Sequence, residues 1–391
     1  MARLITNNSS EILYCRAGDG RVLDTAELSV RPPRPSRDDV DRHLANGLFV
    51  LRRPGTYHPI AGICALPPRT SWWMTDDGYH FAGDLRPYRA GTGTVEAALD
   101  YSRRVLARMG RHKRIGVELS GGLDSSIVIE FLLRQGIPVS LIAFTSKRYE
   151  FRTERAIQSH YEQRCSSVHL IPYEESPAFS QLEEVPPHPF PAQESLFFAR
   201  HQAAAKACQR LGVHILLSGE AGDQLLGFAP ERCDDDGRAP AGYAYWNLAE
   251  LWSHQHVHLP RGSCYVSAIA LGRLPSMILQ ARSSSGPDHM KLWIRQKLRD
   301  YLPPILTEYA YKAFHDGWVI DGLIAASRII HQISNCAYRI TRHPELEPDL
   351  MVASATQYRA LNEQDRARFL ARLSFATWVH SNHRHATEGH A

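Results

Sequence analysis

Ser120-Gly121-Gly122-Leu123-Asp124-Ser125-Ser126 follows the apolar run Ile115 to Leu119 and opens a second apolar stretch, Ile127 to Leu133. This strand-to-helix context makes the loop a phosphate cradle. Two adjacent glycines let the backbone approach an anion with no Cβ in the way, and a helix starting near Asp124 aims its N–H groups and positive end at the same place. Ser120, Ser125 and Ser126 add hydroxyl donors. Asp124 would repel a bare phosphate, but beside a divalent cation it becomes a ligand, and hard oxygen ligands of this kind suit Mg²⁺. The plainer alternative is a Ser/Gly turn capping an ordinary helix; the strand before it and the helix after it weigh against that. The loop lacks the Gly-Lys-Ser/Thr ending of a Walker loop, whose lysine serves the terminal phosphates in phosphoryl transfer. Its absence fits chemistry at the α-phosphate, with pyrophosphate as the leaving group.

Outward from this loop, strand-like and helix-like segments alternate: a helix over 94–109, strand 115–119, helix 124–135, strand 139–145, helix 152–164, strand 168–173, helix 195–211 and strand 213–218. Such alternation predicts an α/β fold, a parallel sheet with helices on both faces, whose ligands lie at the carboxyl ends of the strands. After His214-Ile-Leu-Leu217 comes Ser218-Gly219-Glu220-Ala221-Gly222-Asp223, again small residues and carboxylates at a strand end. Alone it would read as a Gly-rich turn with solvated acids. With the first motif present, Asp124 and Asp223 can converge from adjacent strand ends on one Mg²⁺, which removes their mutual repulsion.

With 391 residues the chain exceeds the usual size of one core, and two domains are expected. Residues 1–92, with short apolar clusters between Pro and Gly, read as a small β-rich domain; residues 93–391 carry the motifs and end in a mainly helical part. The net charge of +4 is too slight for a nucleic-acid footprint. Seven scattered cysteines without a Cys-x-x-Cys pair argue for neither a disulfide framework nor a zinc knuckle. The start of the chain lacks the apolar core of a signal peptide, and no run approaches a bilayer span, so a cytoplasmic protein without membrane or nucleic-acid partners is expected. The His-rich tail, His380 to His385, reads as a solvated end.

The two motifs together resemble the synthetase domain of the asparagine synthetase superfamily, whose members use ATP to adenylate a carboxylate and then let an amine attack it. The resemblance implies an adenine nucleotide alpha-hydrolase-like sheet, with ATP and Mg²⁺ bound at its strand ends. Carried over by position, it implies that Ser120, Gly121, Gly122, Asp124 and Ser125 hold pyrophosphate and metal. It further implies that Ser218 and Gly219 contact the nucleotide, that Asp223 is the second metal ligand, and that Glu220 stands beside the attacking amine. A carboxylate there suits the chemistry, since an ammonium must shed a proton before it can attack. Family members also carry a lysine in an Arg-x-Lys-x-x-Phe pattern; here the register is shifted, with Tyr311 at the expected place, Lys312 one residue later, and Lys297 in reserve.

Glutamine-dependent members begin with a catalytic cysteine after Met, whereas this chain begins Met1-Ala2, and residues 1–92 are similar to a truncated glutaminase domain without that cysteine. The amine is therefore expected from the substrate itself or from a second one. The shortened front domain, the Pro-Pro-His-Pro-Phe-Pro loop (186–191) and the helical ending around Trp378 look most similar to the cyclases of lasso peptides, which join a peptide's N-terminal amine to an Asp or Glu side chain. That similarity implies a precursor peptide as substrate, with a leader-binding protein and a leader peptidase as further partners. Loops 175–195 and 228–245 are candidate lids. The other readings are a small-molecule amide or β-lactam-type synthetase, an RNA-modifying adenylating enzyme, and a nucleotide-binding pseudoenzyme scaffold.

Overall fold

The computed structural model describes six strands, Arg21 and part of the stretch 35–41 within residues 1–94. From 95 to 388 it describes all but 112, 149–151, 188–190, 221, 223–225, 227–256, 270–273, 275–276, 279–290 and 309–315. In the first part, β1 (Arg3–Asn7), β5 (Thr70–Thr75) and β6 (Gly78–Asp84) form one antiparallel sheet. A second antiparallel sheet, of order β3-β2-β4, joins β2 (Leu13–Arg16), β3 (Val22–Leu23) and β4 (Ile63–Leu66). The apolar cluster Leu48-Phe-Val-Leu51, from which a β-rich segment is expected, lies outside the described residues, as does all but Ile63 of the cluster Ile60-Ala-Gly-Ile63.

After helix α1 (Val95–Gly110) the chain alternates as expected: β7 (Ile115–Leu119), α2 (Leu123–Leu133), β8 (Val139–Thr145), α3 (Arg152–Glu162), β9 (Ser167–Pro172), α4 (Phe198–Leu211), β10 (Ile215–Ser218) and β11 (Cys264–Ser267). The strands form one five-stranded sheet of order β11-β10-β7-β8-β9, parallel throughout. β7 is buried along its whole length, and β8 is buried from Val139 to Phe144; both are mostly apolar, interrupted by Glu118 and Ser140, and are of the kind that lie covered on two faces.

Alternation along the strands divides the core in two. Val117, Leu119, Leu141, Ala143 and Leu217 face α2 and α3, with Ile127, Phe131 and Ile157 packed against them. Ile142, Phe144 and Leu216 face the other way, toward Ala204, Ala207 and Cys208 of α4 and the C-terminal helices. Helices therefore cover both faces. The C-terminal part, after the short helices α5 (Leu292–Lys297) and α6 (Pro304–Glu308), is built from α7 (Asp316–Ala325), α8 (Ser327–Thr341), α9 (Pro348–Thr356) and α10 (Glu363–Glu388). On α8, buried Ile330, Ile333, Ala337 and Thr341 mark a helical stripe, and Phe369, Leu373, Ala376 and Val379 of α10 are wholly buried in the same core.

Two loop expectations change. The first half of the segment 175–195 is packed wall: Ala178, Phe179, Leu182 and Val185 are buried, and Gly322 of α7 sits so close to Ala178 that a Cβ there would lie 2.8 Å from the Ala178 Cβ. Its apolar residues, spaced between prolines, are used as core. The tail is ordered as well. His380 to His385 continues α10, with Ser381 and Asn382 buried, because this last part of the helix rests on the turns at 182–184 and 193–197, where Arg384 donates to the Val185 carbonyl. The loop 228–245 lies outside the described residues. Among the described residues no helix is long and apolar enough to cross a membrane.

Candidate functional site

The order β11-β10-β7-β8-β9 reverses between β10 and β7, and the crevice at the carboxyl ends of two such strands is where ligands enter open α/β sheets. Both loops singled out in the sequence emerge there. The first turn of α2 has no side-chain cap, and Gly122 precedes it in extended backbone (φ −88°, ψ 169°), so its leading N–H groups are left for an anion. Gly121 has φ +84°, and a Cβ on it would stand 2.6 Å from the Glu154 Cβ on α3; both facts demand glycine. The hydroxyls brace the loop. Gly122 N donates to Ser120 Oγ at 3.2 Å, Ser120 and Ser125 Oγ are 3.3 Å apart, and Ser126 Oγ donates to the Gly122 carbonyl at 2.8 Å.

The second loop interlocks with the first. A Cβ on Gly219 would collide with the Ser125 amide nitrogen and lie 2.8 Å from the Asp124 Cβ, and one on Gly222 would collide with the Asp124 carboxylate. Glycine at both places is thus what allows the loop to close on Asp124. The loop is pinned from both flanks. From β11, Ser267 Oγ donates to the Glu220 carbonyl at 2.6 Å and Ala268 N to the Ser218 carbonyl at 3.1 Å; from α5, Trp293 Nε1 donates to the Leu226 carbonyl at 2.9 Å.

Of the residues read from the sequence, the structure brings together Ser120, Gly121, Gly122, Asp124, Ser125, Ser218, Gly219 and Glu220. Asp223 and Lys312 lie outside the described residues. Lys297 is on the surface, its Nζ 3.8 Å from Glu96 of α1. Among the described residues, a lysine that does reach the cradle is Lys291, which the sequence reading missed. Its buried ammonium sits 2.5 Å from Asp124 Oδ2, and its own backbone is left-handed (φ +56°), a conformation costing about 1–2 kcal/mol for a non-glycine residue. The signal for it was indirect: an acidic phosphate loop with no lysine of its own needs positive charge from elsewhere.

Mg²⁺ fits this donor set. Asp124 already holds a cation, the Lys291 ammonium, in a cradle that a Cβ at Gly222 would fill, and the serine hydroxyls are hard oxygens. Magnesium is ordinarily bound through one or two carboxylates plus substrate phosphates. Among the described residues no three His, Cys, Asp or Glu side chains cluster as a metal cage.

The acids around the cradle have shifted chemistry. Burial raises Glu154 to about 7, against the opposing charge of Arg200. Burial also lifts Glu220 well above the ordinary carboxylate range; Glu194 and Glu118 push it further, and His201 and Arg200 oppose. A carboxyl that titrates near neutrality is suited to accept a proton from a substrate.

A phosphate cradle, an acid suited to a cation and a carboxyl poised for proton transfer, gathered at one switch point, define an α/β domain built for nucleotide-driven chemistry. Residues 95–259 match the asparagine synthase family, which supports placing this segment in the asparagine synthetase superfamily and the activity among ATP-dependent ligases that form carbon–nitrogen bonds. A search of curated proteins gave no match. Among solved structures, NMN synthetase from Francisella tularensis aligns over 49% of this chain and 94% of its own, at 14% identity and a TM-score of 0.25.

Proposed function

We propose that the protein is a glutamine-independent amide ligase that adenylates a substrate carboxylate, releasing pyrophosphate, and joins it to an amine, closing the macrolactam ring of a lasso-type ribosomal peptide. The observation that carries the ligase reading is the interlock of two glycine-bearing loops around Asp124 at the switch point. In this reading the uncapped start of α2, with Ser120 and Ser125, binds the polyphosphate, and Lys291 passes from Asp124 to the phosphates. Asp124 and, by its place in the motif, Asp223 would hold Mg²⁺, which would supply charge neutralisation for the leaving pyrophosphate. Ser218 and Gly219 line the nucleotide. A carboxylate oxygen attacks the α-phosphorus and pyrophosphate leaves; the amine then attacks the acyl carbon, gives its proton to Glu220, and AMP leaves. Lys312 is the candidate for steadying the charged intermediate.

The macrocyclase assignment rests on the sequence resemblance to lasso cyclases. It brings with it a precursor peptide, a leader-binding protein and a leader peptidase as partners. Residues 1–92 form the truncated glutaminase-like domain and residues 93–391 the synthetase domain. Ring closure depends on confinement, because holding amine and adenylate at about 3 Å supplies effective molarity. Incubation with ATP, Mg²⁺ and a precursor core should yield AMP, pyrophosphate and a peptide lighter by one water in mass spectrometry. Amide formation confined to small molecules would move the assignment to a β-lactam-type synthetase. ATP binding without pyrophosphate exchange across a panel of carboxylates would leave only a scaffold.

A further inference from the structure

Behind the nucleotide loops, on the sheet face that packs on α4, lies a group of charges to which the proposed reaction assigns no role. Glu118 of β7 points to this face and is buried, a charged residue inside an otherwise apolar strand. It is in an ion pair with Arg200 of α4, whose guanidinium carbon stands 4.8 Å from the centre of the Phe144 ring on β8. The β10–β7 register pairs Leu217 with Val117, so Ser218 follows beside Glu118, and Glu220 lies two residues further along the same chain. The Glu220 carboxyl is faced by Glu118 from β7, by Arg200 and His201 from α4, by Glu194 from the turn before α4, and by Tyr265 from β11. His201 Nε2 is itself 3.3 Å from Glu194 Oε2.

Among the described residues, three carboxylates thus share one wall with a histidine, a tyrosine and one permanently charged cation, Arg200. Carboxylates brought together out of water hold protons unless a fixed positive charge separates them. We infer that Arg200 is a positioning residue for Glu220: paired with Glu118 and seated on Phe144, it offsets the buried like charge that β7 sets beside Ser218 and keeps Glu220 able to take the proton of the incoming amine. This rests on the proposed amide-forming reaction. Arg200 touches neither substrate nor reacting atoms in this role; it acts through Glu118 and Glu220.

The test uses the full chain labelled with carboxyl-¹³C glutamate, the Glu220 signal being assigned by its loss in Glu220→Gln, with each variant's fold checked by circular dichroism. Arg200→Met should raise the Glu220 titration midpoint by about one pH unit and Glu118→Gln should lower it by about as much, while Arg200→Lys and the double variant stay near the parent. Where amide formation is measured, the acid limb of its pH profile should follow the midpoint, and ATP–pyrophosphate exchange should keep its own profile. If Arg200→Met does not fold, Glu118→Gln decides. Midpoints that move by less than about 0.3 units in the folded charge variants would overturn the inference. Absence of exchange from the parent chain counts against the proposed reaction, while the midpoints still settle the coupling.

Discussion

Lys291 and Asp124 illustrate how one pair can serve binding and folding at once. Both side chains are largely removed from water, and removing one partner of such a pair strands the other, at a cost of about 3 kcal/mol where burial is complete and less here, because Asp124 keeps 18% of its surface. Lys291→Met should therefore lower stability and weaken ATP–pyrophosphate exchange. Asp124→Asn with Lys291→Met should recover most of the stability in urea unfolding and none of the exchange, and a double variant with parental exchange would refute the cradle. Asp124→Asn alone should reduce exchange roughly 100-fold or more. Glu154 gives a second prediction. Its carboxyl is protonated in the fold up to about pH 7 but only to about 4.5 when exposed, so its contribution to stability is full at acid pH and is lost as pH rises through 7. Glu154→Gln should accordingly raise the melting temperature at pH 8 relative to the parent and change it little at pH 4.5.

Elements were legible where a periodic pattern met no competitor. Strands β7 and β8 are found at the residues that their apolar runs mark, α1 lies one residue later than expected at both ends, and α3 begins where expected and ends two residues early. The cradle was readable because glycine leaves a trace: Gly121, Gly219 and Gly222 each stand where a Cβ has no room. What the sequence hid was contact at long range. Nothing near Arg200 signals that it will meet Glu118, 82 positions away, nor does Lys291 announce Asp124 at a separation of 167. The lone glutamate within Ile115-Gly-Val-Glu-Leu119 was the available clue, since a buried charge needs a partner. The loop interlock yields the prediction proper to this scale. Gly219→Ala forces the second loop off α2 and should cost about 1–3 kcal/mol together with most ATP binding, measured by calorimetry. Gly136→Ala is the control: its φ of +67° makes it a strained substitution as well, but nothing lies within 4 Å, so ATP binding should survive.

Across the whole molecule, the early part of the chain is tied into the late part. Val40 is wholly buried in the core that holds Phe144 of β8, Trp318 of α7 and Phe369 of α10, and beside it His343 Nε2 donates to Asp41 Oδ1 at 2.9 Å while its Nδ1 accepts from the Glu345 amide at 3.2 Å. Val40→Ala should reduce stability by about 2 kcal/mol and leave exchange intact, because the site lies at the strand ends and this contact does not reach it. The same arrangement governs how the chain comes off the ribosome. The face of the parallel sheet that α4 covers in part takes further cover from α7 to α10, synthesised last, so while those helices are still being translated the nascent protein displays a broad greasy surface with Val40 unable to dock. Chains that close such distant contacts fold slowly and are prone to clump before they finish, and a truncation that removes α10 should accumulate in inclusion bodies or bound to chaperones, however well its phosphate cradle is formed.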